Sequence, residues 1–506
     1  MAARLLRRRL ERPVDPLAVY GALTDDGTRH DTALFGSPDG ICVLMDRAAI
    51  RAECCGNIVR IAALNPNGHA LLDQVRDRLP GERLRQSTSM IEIAVRPASA
   101  DDLEERLLAP APLHAIRSLL AAARPPGKEP FAALAFGVIA FEHGAFGEVP
   151  HAPATADEFP DYIFWIADSL ILFAPGSPPQ LLCAAFGEDG DDRHYHDACR
   201  RLERLVATCQ ADARPVPLSP GPGVSPPAEP DLDDAQFEGL VERLKESIAA
   251  GEVFQIVPSR TFRLPCADPF RAFAALRQAE GNSYLFYVRG VGFSLFGASP
   301  ETSVQVKRNQ GALSVELRPI AGTRARGTTD DDDCRLEAEL RLDDKELAEH
   351  MMLVDLARND IARISLPGTC RVARLLDVER HARVMHLVSS VTGRLAIGLD
   401  AFDALIACLN AGTLSGAPKI RATELLLEAE HGRRGPYGGA VGWVNGAGLM
   451  DSAVVIRSAL VQGGIASVRA GAGVVHDSIP QAEAEETRRK AEAMLAVLSA
   501  AEGAAA

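Results

Sequence analysis

"IASVRAGAGVVHDSIPQAEAEETRRKAEAML" (465–495) puts a strand, a loop of small residues and a helix in one continuous stretch. Its first part is a β-like run that passes through Gly471, Ala472 and Gly473, where small side chains let backbone amides approach a ligand closely. Pro480 stands near the first position of a helix expected over 482–500. Glu483, Glu486 and Lys490 fall at i, i+3 and i+7 and share one face of it. The same alternation recurs upstream. β-like runs at 292–299, 311–322 and 453–461 are interleaved with helical runs at 345–364, 401–408 and 420–430. The pattern predicts a mixed α/β (α+β) chain.

Working outward, a helix with readable ends opens this region. Asp233 and Asp234 offer the N-cap, Phe237, Leu240, Val241, Leu244 and Ile248 form one stripe, and Gly251 stops it. "EVFQIVPSRTFRL" (252–264) then reads as a strand. Upstream lies the clearest break, "ARPVPLSPGPGVSPPAEPD" (213–231), where proline at this density favours an extended linker. It divides an N-terminal part, 1–212, from a longer C-terminal part, 232–500. The N-terminal part contains strand-like runs such as "DYIFWIADSLILFA" (161–174) and opens on a basic "RLLRRRLER" (4–12), read as an arm or a frayed helix.

The 506 residues suffice for one large or two medium domains. A formal net charge of -14 argues against a general nucleic-acid binder, whose affinity comes from neutralising phosphates. No apolar stretch has transmembrane length and no secretory core follows the start, so a cytoplasmic protein is expected. The ten cysteines are scattered without a CxxC pair, which fits reduced thiols instead of a disulfide framework or zinc site. None stands in a Gly-x-Cys-x-Gly turn.

Carboxylates recur in pairs. "DDKELAEHMMLVDLARND" (343–360) places Leu347, Met351 and Val354 on one stripe and Glu346 and Glu349 on a neighbouring face. Taken singly, such pairs are solvated helix faces. Two small-residue loops, at 470–478 and in "NAGTLSGAPK" (410–419), favour a different reading, as does the arginine-rich "RPIAGTRARG" (318–327). Together they suit an anionic ligand bound partly through a metal, and oxygen donors with retained water suit Mg²⁺.

These stretches, with "VMHLVSSVTG" (384–393), "GTLSGAPKIRA" (412–422) and "RRGPYGGAVGW" (433–443), resemble the chorismate-utilising enzymes. The similarity is closest to the large component of anthranilate synthases and runs through nearly the whole chain. It implies a large β-sheet sandwich flanked by helices, with chorismate held by the C-terminal part. Glu349 and Glu486 match the Mg²⁺ ligands, with Glu346 and Glu483 as supporting carboxylates. Gly322, Thr323, Tyr437, Arg457, Gly471, Ala472, Gly473 and Lys490 match chorismate-binding positions. His386 matches a histidine near the departing enolpyruvyl group, although a histidine met alone is by default a satisfied core residue. Thr413 lies near the ring and Glu301 matches an active-site glutamate; Glu301 and Glu483 are the candidates for proton handling.

Two positions discriminate within the family. Relatives that form the 4-amino isomer carry a lysine nucleophile where this chain has Ala321, and relatives that add water carry a lysine base where it has Gln255. An amide cannot deprotonate water, whereas ammonia needs no such help. The resemblance therefore implies attack of ammonia at C2 of chorismate, loss of the 4-hydroxyl, and elimination of pyruvate to give anthranilate. Because no glutaminase cysteine turn is present, a separate glutaminase subunit is expected to supply the ammonia.

Tryptophan-sensitive relatives bind the inhibitor through a Leu-Leu-Glu-Ser stretch and a Pro-Tyr-Met stretch. Here these read "LFGS" (34–37) and "SYL" (283–285): Ser37 and Tyr284 remain, Gly36 replaces the glutamate, and Ser283 and Leu285 replace proline and methionine. Weakened tryptophan inhibition is expected, as in supply to a secondary metabolite; drift in a site that still binds tryptophan is the alternative. A rival reading stops at 2-amino-2-deoxyisochorismate, which His386 and Thr413 disfavour. Another is a non-catalytic regulatory homologue, which the intact carboxylates and Arg457 disfavour.

Overall fold

Backbone pairing across the chain is antiparallel throughout the described residues, which in this computed structural model are 3–96, 109–146, 148–149, 152–155, 157–187, 192–211, 227–281, 283–380 and 384–502. The main path of the sheet starts at the short edge strand Glu229–Pro230. It runs through Ser259–Pro265, Ile465–Gly471, Ser458–Gln462, Phe293–Ser299 and Tyr284–Gly290. There it passes into the N-terminal part, where Leu285 pairs with Gly36. It returns where Ile139 pairs with Ala440, passes through Val384–Arg394 and ends at Arg371–Arg380. The two parts therefore share one sheet.

That sheet curls over on itself. Tyr284 and Asp451 lie on strands that do not pair, yet the tyrosine hydroxyl donates to the carboxylate at 3.0 Å. Phe35 and Phe136 meet edge to face with ring centroids 6.1 Å apart. The two facing layers bury Met45, Trp165, Phe286, Val288 and Val441 between them. Helices cover the outside: Leu71, Ile116, Val354, Ile361 and Phe402 dock on one outer face, and Tyr20, Leu205, Phe273, Met494 and Leu498 on the other. This is the expected sandwich flanked by helices. No described helix is long and apolar enough to cross a membrane.

Local chemistry explains most elements. Helix Asp234–Ala249 begins with a reciprocal capping box between Asp233 and Gln236 and buries Phe237, Leu240, Val241 and Leu244. Helix Asp344–Ile364 is capped by Asp343, which accepts from the Lys345 and Glu346 amides at 3.1 Å. Its buried stripe is His350, Leu353, Val354, Ala357 and Ile361. Met351, expected on that stripe, is 44 % exposed; His350 takes the inward position, where its Nε2 lies 2.6 Å from Ser389 Oγ.

Several expectations change. The basic start is neither arm nor helix: Arg4–Arg9 is an edge strand paired with Ser177–Ala185. The strand expected over 252–264 splits into Gln255–Ile256 and Ser259–Pro265, because Pro258 cannot donate and the chain switches partners there. Pro319, which likewise cannot donate, divides the run over 311–322 into Ala312–Leu317 and Ile320–Ala325, although both pieces pair with Val384–Arg394. Most of the expected linker lies outside the described residues; its end, Glu229–Pro230, pairs with Phe262 and Arg263.

Candidate active site

Two helices carry the carboxylates. Helix Asp344–Ile364 supplies Glu346 and Glu349, and helix Pro480–Glu502 supplies Glu483, Glu486 and Lys490. Burial and the charges of Glu346 and Glu486 push the Glu349 carboxyl above its usual range. Burial, with Glu486 adding to it, also raises Glu483. Among the described residues no three Asp, Glu, His or Cys side chains form a preformed metal cage. A site of two carboxylates still suits Mg²⁺, which keeps several waters and takes ligand oxygens for the rest of its shell. The repulsion that raises Glu349 is what a cation there would relieve.

The strand pair Gln255–Ile256 and Gly416–Ala417 brings Gln255 beside this cluster. Gln255 is buried, and its Nε2 donates to Glu349 Oε1 at 3.3 Å. Gly473 closes on the same amide, since a Cβ there would lie 2.7 Å from Nε2. Three distant segments, 255, 349 and 473, thus form one wall.

Glu301 and Thr413 form a second pair, which Lys490 and Arg457 reach electrostatically. Thr413 Oγ1 donates to Glu301 Oε1 at 2.8 Å. Burial pushes the Glu301 carboxyl up to about 7, although Thr413, Lys490 and Arg457 all favour its ionised form. Arg457 has no ion-pair partner among the described carboxylates, unlike most arginines around it, and holds a left-handed backbone at φ 46°. Lys490 is engaged by Glu486 at 2.7 Å and by Gly471 O at 3.0 Å. Tyr437 is buried, with its phenol against Gly471 and pushed up to about 12 by burial.

The arginine-rich stretch is tied down by carboxylates. Arg324 binds Asp343 at 2.6 Å and Glu346 at 3.2 Å, Arg326 binds Asp333, and Arg318 binds Glu379. These side chains brace the strand Ile320–Ala325. Gly322, at φ 74°, leaves no room for a side chain: a Cβ would stand 3.1 Å from Leu340 and 3.3 Å from Glu346. Thr323 pairs through its backbone with His386, which is buried on the neighbouring strand. One expected role changes. The Ala472 amide donates to Pro258 O at 3.1 Å, so the segment after Gln255 consumes it.

Ser37, Ser283, Tyr284 and Leu285 lie along the paired strands Thr32–Gly36 and Tyr284–Gly290 and at their ends. Leu285 pairs with Gly36, Ser37 bonds Asp39, and Tyr284 lies under a buried Asp451 whose carboxyl burial raises to about 6. All ten cysteines are free, and burial pushes Cys183 up to about 12 and Cys209 to about 11, the reverse of an activated thiolate. Sequence reading missed the buried ions behind the pocket, Glu430, Arg434 and Arg469. Only the i, i+4 spacing of the first two hints at them.

The family model for chorismate binding enzymes matches residues 82–496. The chain belongs to the chorismate binding enzymes. Within this family it is 42 % identical to "Anthranilate synthase component 1" of Escherichia coli over 96 % of this chain and 95 % of that protein. It is 45 % identical to "Anthranilate synthase component 1, pyocyanine specific" of Pseudomonas aeruginosa, over 90 % of this chain and 86 % of that protein. A solved anthranilate synthase component I from Streptococcus pneumoniae superposes with a TM-score of 0.70 at 29 % identity, covering 90 % of this chain and 92 % of the other. A chorismate binding enzyme is also what the wall at 255, 349 and 473 and the pair at 301 and 413 together suit.

Proposed function

We propose that the chain is the chorismate-converting component of an anthranilate synthase, turning chorismate and ammonia into anthranilate and pyruvate. The observation that carries this reading is Gln255. At the position where water-adding relatives carry a base, a buried amide is held by Glu349, and an amide leaves only an intrinsic nucleophile such as ammonia competent to attack C2. Arg457 and Lys490 pair with the substrate carboxylates, and Gly322, Thr323, Tyr437, Gly471 and Gly473 shape the rest of the pocket. Ala472 contributes bulk alone.

Glu349 and Glu486 are the residues that would hold Mg²⁺, with Glu346 and Glu483 behind them. When bound, the ion supplies charge neutralisation toward the substrate carboxylate and electrophilic assistance. Glu301, with its carboxyl near 7, keeps a protonated fraction near neutral pH and can act as an acid. It delivers that proton to the departing 4-hydroxyl, which leaves as water while the C2–N bond forms. Loss of the C2 proton, for which Glu483 is the candidate base, then expels the enolpyruvyl oxygen from C3. Pyruvate departs past His386 and the ring becomes aromatic. Thr413 keeps Glu301 aimed at the ring.

The N-terminal part, 1–212, serves as the regulatory part, 213–231 as the linker and 232–500 as the catalytic part. A separate cytoplasmic glutaminase supplies ammonia, since no cysteine here stands in a Gly-x-Cys-x-Gly turn. The degenerate 34–37 and 283–285 stretches, and a relative named for pyocyanine, favour specialised anthranilate supply with weak tryptophan feedback. The test is the purified chain with chorismate, Mg²⁺ and ammonium salt and no glutaminase. Anthranilate and pyruvate in equal amounts are expected; a product that keeps its enolpyruvyl group overturns the lyase reading and His386's place in it.

A further inference from the structure

Resting on the chorismate-binding reading above, we propose that Glu430 and Glu142, neither of which lines the pocket, are positioning residues that set its substrate-binding surface through Arg434. Glu430 follows the helix Lys419–Ala429, and its side chain is 4 % exposed. It accepts five hydrogen bonds: Ser259 N at 2.8 Å, Ser259 Oγ at 2.9 Å, Arg434 Nε at 2.8 Å, Arg434 Nη2 at 2.6 Å and Arg469 Nη2 at 2.6 Å. Burial alone would favour the acid, but the two guanidiniums outweigh it and hold Glu430 ionised.

Arg434 distributes this anchor. Its Nη1 donates to Leu414 O at 2.6 Å, and Leu414 is the neighbour of Thr413. Its Nη2 donates to Val257 O at 2.6 Å, two residues from Gln255. Its guanidinium stands 4.3 Å from the Phe141 ring centroid and 5.9 Å from that of Tyr437. Arg469 holds Ser259 Oγ at 2.8 Å and Arg433 O at 3.1 Å, two residues before Gly471. One buried ion cluster therefore reaches all three segments that present Thr413, Gln255 and the Tyr437–Gly471 contact. The planar fork of arginine can serve these acceptors together, which a lysine cannot.

The N-terminal part grips the same loop. Glu142 Oε1 accepts from the Arg434 amide at 2.6 Å, and its Oε2 lies 3.6 Å from the Arg433 guanidinium. The Phe141 amide donates to Gly435 O at 2.8 Å. Segment 141–142 thus completes a catalytic surface that the C-terminal part otherwise builds alone.

The experiment measures chorismate Kd by titration calorimetry in Mg²⁺, and KM for chorismate and for ammonium, in E430Q, E142Q and R434K. Leu205→Ala, a cavity in the distant helix Asp192–Gln210, is the control for lost stability. Chorismate Kd and KM should rise at least about fivefold in E430Q and E142Q, with ammonium KM within about twofold, and R434K should not rescue the site. L205A should lower Tm and leave chorismate affinity alone. Smaller changes in E430Q and E142Q, or an equal rise in L205A, overturn the proposal; if E430Q does not fold, E142Q decides. Wild-type protein that binds chorismate yet forms no anthranilate defeats the functional reading, and the Kd series still judges the positioning. Wild-type protein that binds no chorismate defeats both.

Discussion

Replacing Thr413 with valine keeps the side chain's size and branching and removes one hydroxyl. In the structure that hydroxyl donates to Glu301 Oε1 at 2.8 Å, so it stabilises the carboxylate over the acid. A hydrogen bond to a charged, buried acceptor contributes about 1.5–3 kcal/mol, and each pH unit corresponds to about 1.4 kcal/mol. Its loss therefore lifts the Glu301 carboxyl from about 7 to between about 8 and 9. Because Glu301 acts as its protonated form, activity falls as pH rises through its pKa. T413V should move the alkaline limb of the kcat profile upward by about one to two pH units. The assay is initial anthranilate fluorescence from pH 6 to 10 in ammonium, with chorismate and free ammonia held saturating at each pH. Thr413→Ser, which restores the hydroxyl, should bring the limb back. A limb that stays put in T413V while overall rate falls would refute both the acid role of Glu301 and the tuning by Thr413.

Glu301→Gln should stabilise the fold in one pH window. The carboxyl sits near 7 in the folded chain against an ordinary 4.5, so its contribution is complete below about 4.5 and is lost as pH rises through 7. Scanning fluorimetry should show E301Q gaining about 3 kcal/mol over wild type at pH 8 and nothing at pH 4.5; an equal gain at both would contradict the buried charge. Gly473→Ala should keep the fold and lose activity at least about tenfold, because its Cβ would stand 2.7 Å from Gln255 Nε2 and break the bond to Glu349. Unchanged kcat in G473A would remove Gln255 from the site. Tryptophan at micromolar concentration should leave the ammonium-dependent rate untouched, given Gly36, Ser283 and Leu285; half-inhibition in that range would restore ordinary feedback.

Much of this site was legible before folding because it is written in short motifs. Glu483, Glu486 and Lys490 are set by helical spacing, and Gly322 is marked by the family resemblance. The N-cap at Asp233 likewise follows from local rules. What escaped is what depends on partners far along the chain. Nothing local tells that Ala472's amide turns to Pro258, that Met351 faces water while His350 faces Ser389, or that Arg4–Arg9 finds an edge strand to pair with. The Glu430 cluster escaped for the same reason, since its ligands come from Ser259, Arg434 and Arg469. Pro258 and Pro319 were visible as prolines, but that Pro258 marks a change of strand partner, while both sides of Pro319 keep Val384–Arg394, is a tertiary fact.

The central claim is that this chain joins ammonia, and not water, to chorismate. The most direct measurement is a single incubation of the purified protein with chorismate, Mg²⁺, ¹⁵N-ammonium and ¹⁸O-water, read by mass spectrometry. Anthranilate heavier by one mass unit, with no ¹⁸O on the ring, is the predicted product. An ¹⁸O-labelled isochorismate, or a salicylate derived from it, would contradict the account.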